Sequence, residues 1–375
     1  MRILLVGGGS GGHVYPVIAV ANALKERSVQ GDVELLLLGD DRFMGQAAKE
    51  SGIQFRPIMS GKLRRYFSLL TLLDVFKFPV GFFQSLWRIF WFMPDVVFAK
   101  GGYMSVLPAL VAKLYLIPLY IHESDSVPGL ANKFLGRLAN KIFISFQTSS
   151  AYFDQTKTIL TGNPVRRELL TGDRNEAAKL FNLSPDKKTI FVYGGSQGAQ
   201  KINDIVLESL VMTVGKDLQI IHQCGSGQID TVKKSVDKFV KEGQGSYGDA
   251  ITQNYRLEPF LGLDKVRAAY ALADVIVSRA GASNIFEIAA VGKPAIIIPI
   301  TGSAGNHQLN NAMAFNKYGA VMLEEENLTP HIVLSQIEYL LRPENYEAAS
   351  QKIKSFATPE AAQTIADTLL SEFKV

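Results

Sequence analysis

Short, continuous apolar runs alternate along this chain with longer stretches of helical periodicity. The runs Ile3–Val6, Val33–Leu38, Val96–Phe98, Leu119–His122, Lys141–Ile144, Ile190–Tyr193, Gln219–Gln223, Val275–Val277 and Ala295–Pro299 read as strands. Strands apolar on both faces belong in parallel sheets covered by helices on either side. Helical spacing separates most of them, over Val17–Lys25, Asn203–Val211, Leu263–Ala271 and Asn284–Val291. The expected class is therefore α/β. Arg2–Leu24 reads as strand, glycine turn and helix, and Thr189–Leu210 repeats that unit around Gly194-Gly195-Ser196-Gln197-Gly198. Each has the form of the opening of a doubly wound sheet, so two Rossmann-like domains are expected. Gly162-Asn163-Pro164, after a strand-like Thr158–Leu160, is the expected join. Pro359–Val375 reads as a terminal helix with Ile365, Leu369 and Phe373 on one stripe.

The segment Tyr66–Met93 departs from this rhythm, being dense in Leu, Phe and Trp. Its polar members Asp74, Lys77, Gln84 and Arg88 fall on one narrow helical face. Charges at Asp74, Lys77 and Arg88 interrupt it and Pro79 is expected to break its hydrogen-bond ladder, so a bilayer-crossing helix is not expected. Two readings remain, a core helix pair or a patch lying in a membrane interface. The aromatic content and the preceding Lys62, Arg64 and Arg65 favour the interface.

Composition narrows the classes further. A chain of 375 residues, 47% hydrophobic and 20% charged, suits two folded domains and excludes a disordered protein. One cysteine, Cys224, excludes an internal disulfide framework and fits a reducing compartment. A net charge of +4 admits anionic ligands or an anionic membrane surface without implying nucleic acid, which is not an expected partner. The apolar start meets glycine at Gly7, too soon for a signal peptide, so the cytoplasm is the expected compartment.

Gly7-Gly8-Gly9-Ser10-Gly11-Gly12-His13 matches the dinucleotide fingerprint, and Asp40 and Asp41 stand where a ribose-binding carboxylate would. A nicotinamide-dependent oxidoreductase is therefore one alternative. A second glycine loop in the other half argues instead for two phosphate-bearing ligands facing each other across a cleft. His13, at a helix start among glycines, is either a packing histidine or a general base. His122-Glu123-Ser124-Asp125 ends a strand, where ligands bind in such sheets, with a strand-end salt bridge as the plainer account. Ser278–Asn284 leads into a helix bearing Glu287, either a ribose ligand or an ordinary solvated carboxylate. The five histidines are scattered, so no metal site and no cofactor are expected.

Taken together, Gly7–His13 with Pro16, Gly101-Gly102-Tyr103, His122–Lys133, Gly162-Asn163-Pro164-Val165-Arg166, Gly194–Ala199, Ser278–Glu287 and His307-Gln308 with Asn311-Ala312 resemble the MurG family, in order, over residues 1 to about 315. These are UDP-N-acetylglucosamine:undecaprenyl-diphosphoryl-N-acetylmuramoyl-pentapeptide transferases of peptidoglycan synthesis. The resemblance implies a GT-B fold: residues 1–163, with a terminal helix at about 359–375, taking the lipid acceptor, and residues 164–358 taking UDP-GlcNAc. It implies inverting transfer to the 4-hydroxyl of lipid I, at the cytoplasmic face of the cell membrane, by a peripheral protein. Ser10, Gly11 and Gly12 match the family's first loop, Arg166 its interdomain arginine and Ser196 its donor-loop serine. Ala282, Ser283, Asn284, Ile285, Phe286 and Glu287 match its uridine stretch, with Leu261 beside the base and Gln308 near the donor. Asp125 departs from the Asn common in relatives. His13 is the expected base and Glu123 the second choice. Another GT-B enzyme, a lipid galactosyltransferase or a UDP-sugar epimerase, is the alternative within the fold, and a non-catalytic scaffold a further one.

Overall fold

The computed structural model of the chain describes residues 1–28, 32–61, 69–195, 198–302 and 305–371, the side chains of residues 42, 43 and 69–76 excepted. Lys62, Arg64, Arg65, Tyr66, Ser196, Gln197 and Phe373 lie outside the described residues. The chain divides into two compact units, Met1–Val165 with Thr358–Val375, and Arg166–Ala357.

In the first unit, seven strands form one parallel sheet: β1 (Arg2–Val6), β2 (Glu34–Gly39), β3 (Gln54–Pro57), β4 (Val96–Ala99), β5 (Leu119–Glu123), β6 (Lys141–Ile144) and β7 (Thr158–Leu160). Their order is β3-β2-β1-β4-β5-β6-β7. Successive residues of a strand face opposite ways, which is why β1 can be apolar throughout. Ile3 and Leu5 enter one core with Val17, Val20 and Leu24 of the helix Gly11–Arg27. Leu4 and Val6 enter the other, with Ile89 and Phe92. The terminal helix Ala361–Ser371 sets Ile365, Ala366 and Leu369 into the first of these cores. Arg27 pairs with Asp367 at 2.9 Å on the surface.

The second unit has six parallel strands: β8 (Thr189–Tyr193), β9 (Gln219–Gln223), β10 (Tyr255–Glu258), β11 (Val275–Ser278), β12 (Ala295–Ile297) and β13 (Val321–Met322), ordered β10-β9-β8-β11-β12-β13. Here Phe191 faces one core, and Ile190 and Val192 the other. In both sheets the strand order reverses beside the first strand, between β1 and β4 and between β8 and β11. Helices depart to opposite faces there, leaving a crevice at the carboxyl ends of the strands.

Leu69–Phe92 is a single helix of 24 residues running through Pro79, which corrects the expected break and the helix pair. Pro79 itself is exposed. Past Pro79 the two faces separate cleanly. Gly81, Ser85, Ile89 and Phe92 are buried, and a Cβ on Gly81 would come within 1.9 Å of the Met59 carbonyl oxygen. Gln84 accepts from the Met59 N–H at 2.7 Å. On the other face Phe83, Trp87 and Trp91 are 67%, 62% and 66% exposed, with Phe90 beside them. Trp87 and Trp91, one turn apart, meet edge to face at 5.5 Å. No helix among the described residues is long and apolar enough to cross a membrane.

Candidate functional site

In the first unit the crevice is floored by the turn after β1. Gly8 and Gly9 have φ of +138° and +84°, a backbone that side-chain-bearing residues rarely adopt. The Gly9 N–H donates to Asp40 Oδ2 at 2.6 Å, and a Cβ on Gly8 would sit 2.5 Å from that oxygen. Asp40 thus braces the turn; it is one of the two carboxylates, with Asp41, on which the nicotinamide reading drew. Ser10, half-buried, occupies the N-cap of the helix Gly11–Arg27 without a side-chain cap bond. Gly11 is buried and Gly12 exposed at its first turn. A helix start of this kind presents positive dipole to whatever lies in front of it.

His13 follows, half-buried, with its Nδ1 buried and bonded to no protein group. The ring lies over Gly102, where a Cβ would approach it to 3.3 Å. Burial first, and then the charge of Lys100, lower its pKa, while Asp125 opposes them. The neutral imidazole is the form a general base requires.

Behind His13 lies a buried polar cluster. Lys100, directly after β4, is 1% exposed; its Nζ donates to Asn163 Oδ1 at 2.7 Å and to His122 Nδ1. The other nitrogen of His122 then carries the proton donated to the Gly162 carbonyl at 3.0 Å. Desolvation pushes both Lys100 and His122 well below their usual pKa values. Glu123 is also buried, and desolvation followed by the neighbouring Asp125 raises its pKa to about 7. It accepts from the N–H groups of Asp125 at 2.9 Å and Gly129 at 3.2 Å, and from Asn132 Nδ2 at 2.9 Å. His122 and Glu123 are therefore interior groups rather than lining, in place of the strand-end salt bridge considered above. Asp125 is half-buried.

In the second unit the corresponding crevice lies after β8 and β11. Gly195 and Gly198 have φ of +91° and +78°, and the helix Gln200–Gly215 starts at Ala199 with no side-chain cap. The helix Ala282–Val291 starts after Gly281, equally uncapped. Away from the crevices, Asp173 and Thr329 cap their helices with side-chain oxygens. Ser196 lies outside the described residues.

Glu287 is 5% exposed and doubly held. Its Oε1 accepts from Arg166 at 3.0 Å and its Oε2 from the Tyr270 hydroxyl at 3.2 Å. Arg166 belongs to this unit and is committed to Glu287, a partner the sequence did not suggest. Asn284 donates to Ser278 Oγ at 3.1 Å, and Gln308 accepts from the Ile300 N–H at 3.2 Å. Ser283 is half-buried and Ala282 buried. The side chains of Ile285 and Phe286 are core, Phe286 against Phe356 at 4.8 Å, so those two residues offer a ligand only backbone. Leu261 is 2% exposed.

Sequence reasoning missed Lys100 and Tyr270, and gave Asn132 and Asn163, inside the motifs quoted above, no role of their own. A lysine closing an apolar strand just before Gly101-Gly102 was the available signal, since an unpaired lysine is rarely interior. No group of three His, Cys, Asp or Glu able to hold a metal occurs among the described residues.

Residues 3–144 match the glycosyltransferase family 28 N-terminal domain and residues 189–365 the family 28 C-terminal domain. Over 373 residues the chain is 35% identical to the UDP-N-acetylglucosamine--N-acetylmuramyl-(pentapeptide) pyrophosphoryl-undecaprenol N-acetylglucosamine transferase of Flavobacterium psychrophilum, covering 98% of this chain and 97% of the relative. The protein of the same name from Treponema denticola is 34% identical, with 96% and 93% covered. Among solved structures, Acinetobacter baumannii MurG matches with a TM-score of 0.70 at 23% identity, covering 99% of each chain. A UDP-GlcNAc 2-epimerase from Neisseria meningitidis, bound to UDP-GlcNAc, matches with 0.71 at 16%, covering 99% of this chain and all of the other. Backbone likeness thus fits transferase and epimerase equally, and the sequence separates them. The chain belongs to glycosyltransferase family 28 and, within it, to the MurG family of N-acetylglucosamine transferases.

Proposed function

We propose that this protein transfers N-acetylglucosamine from UDP-GlcNAc to the 4-hydroxyl of undecaprenyl-diphosphoryl-MurNAc-pentapeptide, with inversion, as a step of peptidoglycan synthesis. The observation that carries the reading is the 35% identity, over nearly the whole of both chains, to a transferase of that name. The first unit takes the lipid acceptor and the second the nucleotide sugar.

The acceptor oxygen attacks C1 of the sugar as the C1–O bond to the diphosphate breaks, and UDP departs with the bonding pair. The hydroxyl proton passes to His13, whose Nδ1 carries no competing protein bond. The charge developing on UDP meets the uncapped helix starts at Ala199 and Gly281, each worth about 0.3–1 kcal/mol and up to ~2 when partly buried. Ser10, Gly11 and Gly12 offer the same kind of helix start to the acceptor diphosphate. Each Glu287 oxygen has two acceptor sites and spends one, on Arg166 or Tyr270, so the carboxylate retains capacity for a ribose diol. Glu123, the second candidate for the base, lies in the interior with three donors on its carboxylate, so the role rests on His13.

The exposed aromatic face of Leu69–Phe92 rests on an anionic membrane at its cytoplasmic side, where the lipid acceptor resides. About 400 Å² of apolar surface entering lipid has an upper bound of about 10 kcal/mol. Lys77 and Arg88 on the same helix add attraction to the headgroups.

The test is steady-state transfer with His13→Ala. A loss of about a hundredfold or more in kcat at unchanged donor KM supports the base assignment, and a loss under about tenfold moves the role elsewhere.

A further inference from the structure

Gln223 closes β9 and is fully buried, yet its amide is used at both ends. Nε2 donates to the Gly195 carbonyl at 2.9 Å, and Oε1 accepts from the Leu261 N–H at 2.9 Å. Gly195 belongs to the glycine turn after β8, and its carbonyl also takes the Gly198 N–H at 3.0 Å, closing the turn. Leu261 belongs to the segment that leaves β10 and enters the helix Leu263–Leu272. One side chain therefore spans two pieces of backbone from different βα units.

The far end of the turn is held closely. A Cβ on Gly198 would lie 2.0 Å from the Cys224 carbonyl oxygen, so Gly198 is packed directly onto the end of β9. That carbonyl is itself held by Asn203 Nδ2 at 3.0 Å, from the first turn of the helix the glycines lead into. The Cys224 N–H donates to the Glu258 carbonyl at 3.0 Å, tying the end of β9 to β10. These contacts place Gly198 on the strand end. Only the Gln223 amide carries that placement across to Leu261 among the bonds described.

We propose that Gln223 is a positioning residue for the donor: a strut that sets the separation between the diphosphate-holding turn and the segment beside the uracil, and through it the affinity for a uridine diphosphate. The inference rests on the donor reading above and goes beyond it, since Gln223 touches neither ligand in that reading. A ligand engaging both turn and segment, UDP, depends on the strut. Uridine, which engages the base side alone, depends on it little.

The experiment is calorimetric titration of the full chain with UDP and with uridine, comparing parent, Gln223→Leu and Gln223→Glu. Leucine removes both bonds. Glutamate keeps the acceptor for the Leu261 N–H and turns an oxygen toward the Gly195 carbonyl. Both variants are expected to lose UDP affinity by about ten- to a hundredfold while uridine affinity changes less than about threefold, with donor KM rising and kcat and acceptor KM nearly constant. Equal loss of UDP and uridine, or UDP binding within twofold of the parent, overturns the proposal. If Gln223→Leu does not fold, Gln223→Glu decides on the same ratio. A parent that binds no UDP overturns the donor reading itself, and the strut with it.

Discussion

Removing Arg166 tests whether the Arg166–Glu287 pair holds the second unit together. The two side chains are 10% and 6% exposed and meet at 3.0 Å, so water screens them little. Truncating one member of such a pair strands the other charge in the interior, which costs about 3–5 kcal/mol. The Tyr270 hydroxyl still donates to Glu287, which places Arg166→Ala at the lower end, about 3 kcal/mol. For a unit of this size about 2–4 °C of melting temperature accompanies each kcal/mol, so a fall of roughly 6–12 °C is expected. Differential scanning calorimetry of the full chain reads it, with the transition of the second unit expected to be the one that UDP raises. Glu287→Gln in the Arg166→Ala background removes the stranded charge and should recover most of the loss, giving a coupling of about 2 kcal/mol in the double-mutant cycle. A drop below about 1 kcal/mol for Arg166→Ala, or additivity within about 0.5 kcal/mol, would refute the reasoning.

Three further outcomes follow from the first unit. Lys100 opposes protonation of His13, while Asp125 favours it and His122 lies in the same cluster. Lys100→Met should therefore move the acid limb of kcat/KM to higher pH, and a limb that stays put or moves down contradicts this. Glu123 has a folded pKa of about 7 against 4.5 unfolded, so it contributes stability present below 4.5 and lost as pH rises through 7. Glu123→Gln cannot titrate, and urea unfolding should show its stability relative to the parent rising between pH 4.5 and 7; a flat or falling difference rejects the assignment. Phe83→Glu with Trp87→Glu should release the protein from anionic vesicles in flotation while turnover of a soluble acceptor survives, and retained binding would place the contact elsewhere.

What was legible in the sequence follows from burial. The strands that lie inside each sheet are apolar on both faces and announce themselves; Lys141–Ile144 and Gln219–Gln223 were read to the residue. The three strands missed, β3, β10 and β13, are sheet edges. Gln54-Phe55-Arg56-Pro57 and Tyr255-Arg256-Leu257-Glu258 carry the polar residues an edge tolerates, and β13 has only two residues. The helix through Pro79 was hidden because the rule against interior proline is local, whereas the anchoring face from Gly81 to Phe92 is tertiary. At the site, glycines with positive φ were visible as letters. The bond from Gly9 to Asp40 was not, because 31 residues separate them, nor was the pairing of Arg166 with Glu287, 121 residues apart. The exposed aromatic face was legible as a stripe, but which of its rings are core required the fold: Phe92 turns inward while Trp91 turns out.

The central claim is tested most directly by a single turnover with labelled UDP-GlcNAc and a short-chain polyprenyl-diphosphoryl-MurNAc-pentapeptide. The account predicts one labelled β-linked disaccharide lipid and one UDP per active enzyme, with no turnover of the sugar when the acceptor is withheld. Conversion of UDP-GlcNAc to its 2-epimer without acceptor, or UDP release with no labelled lipid, would contradict it.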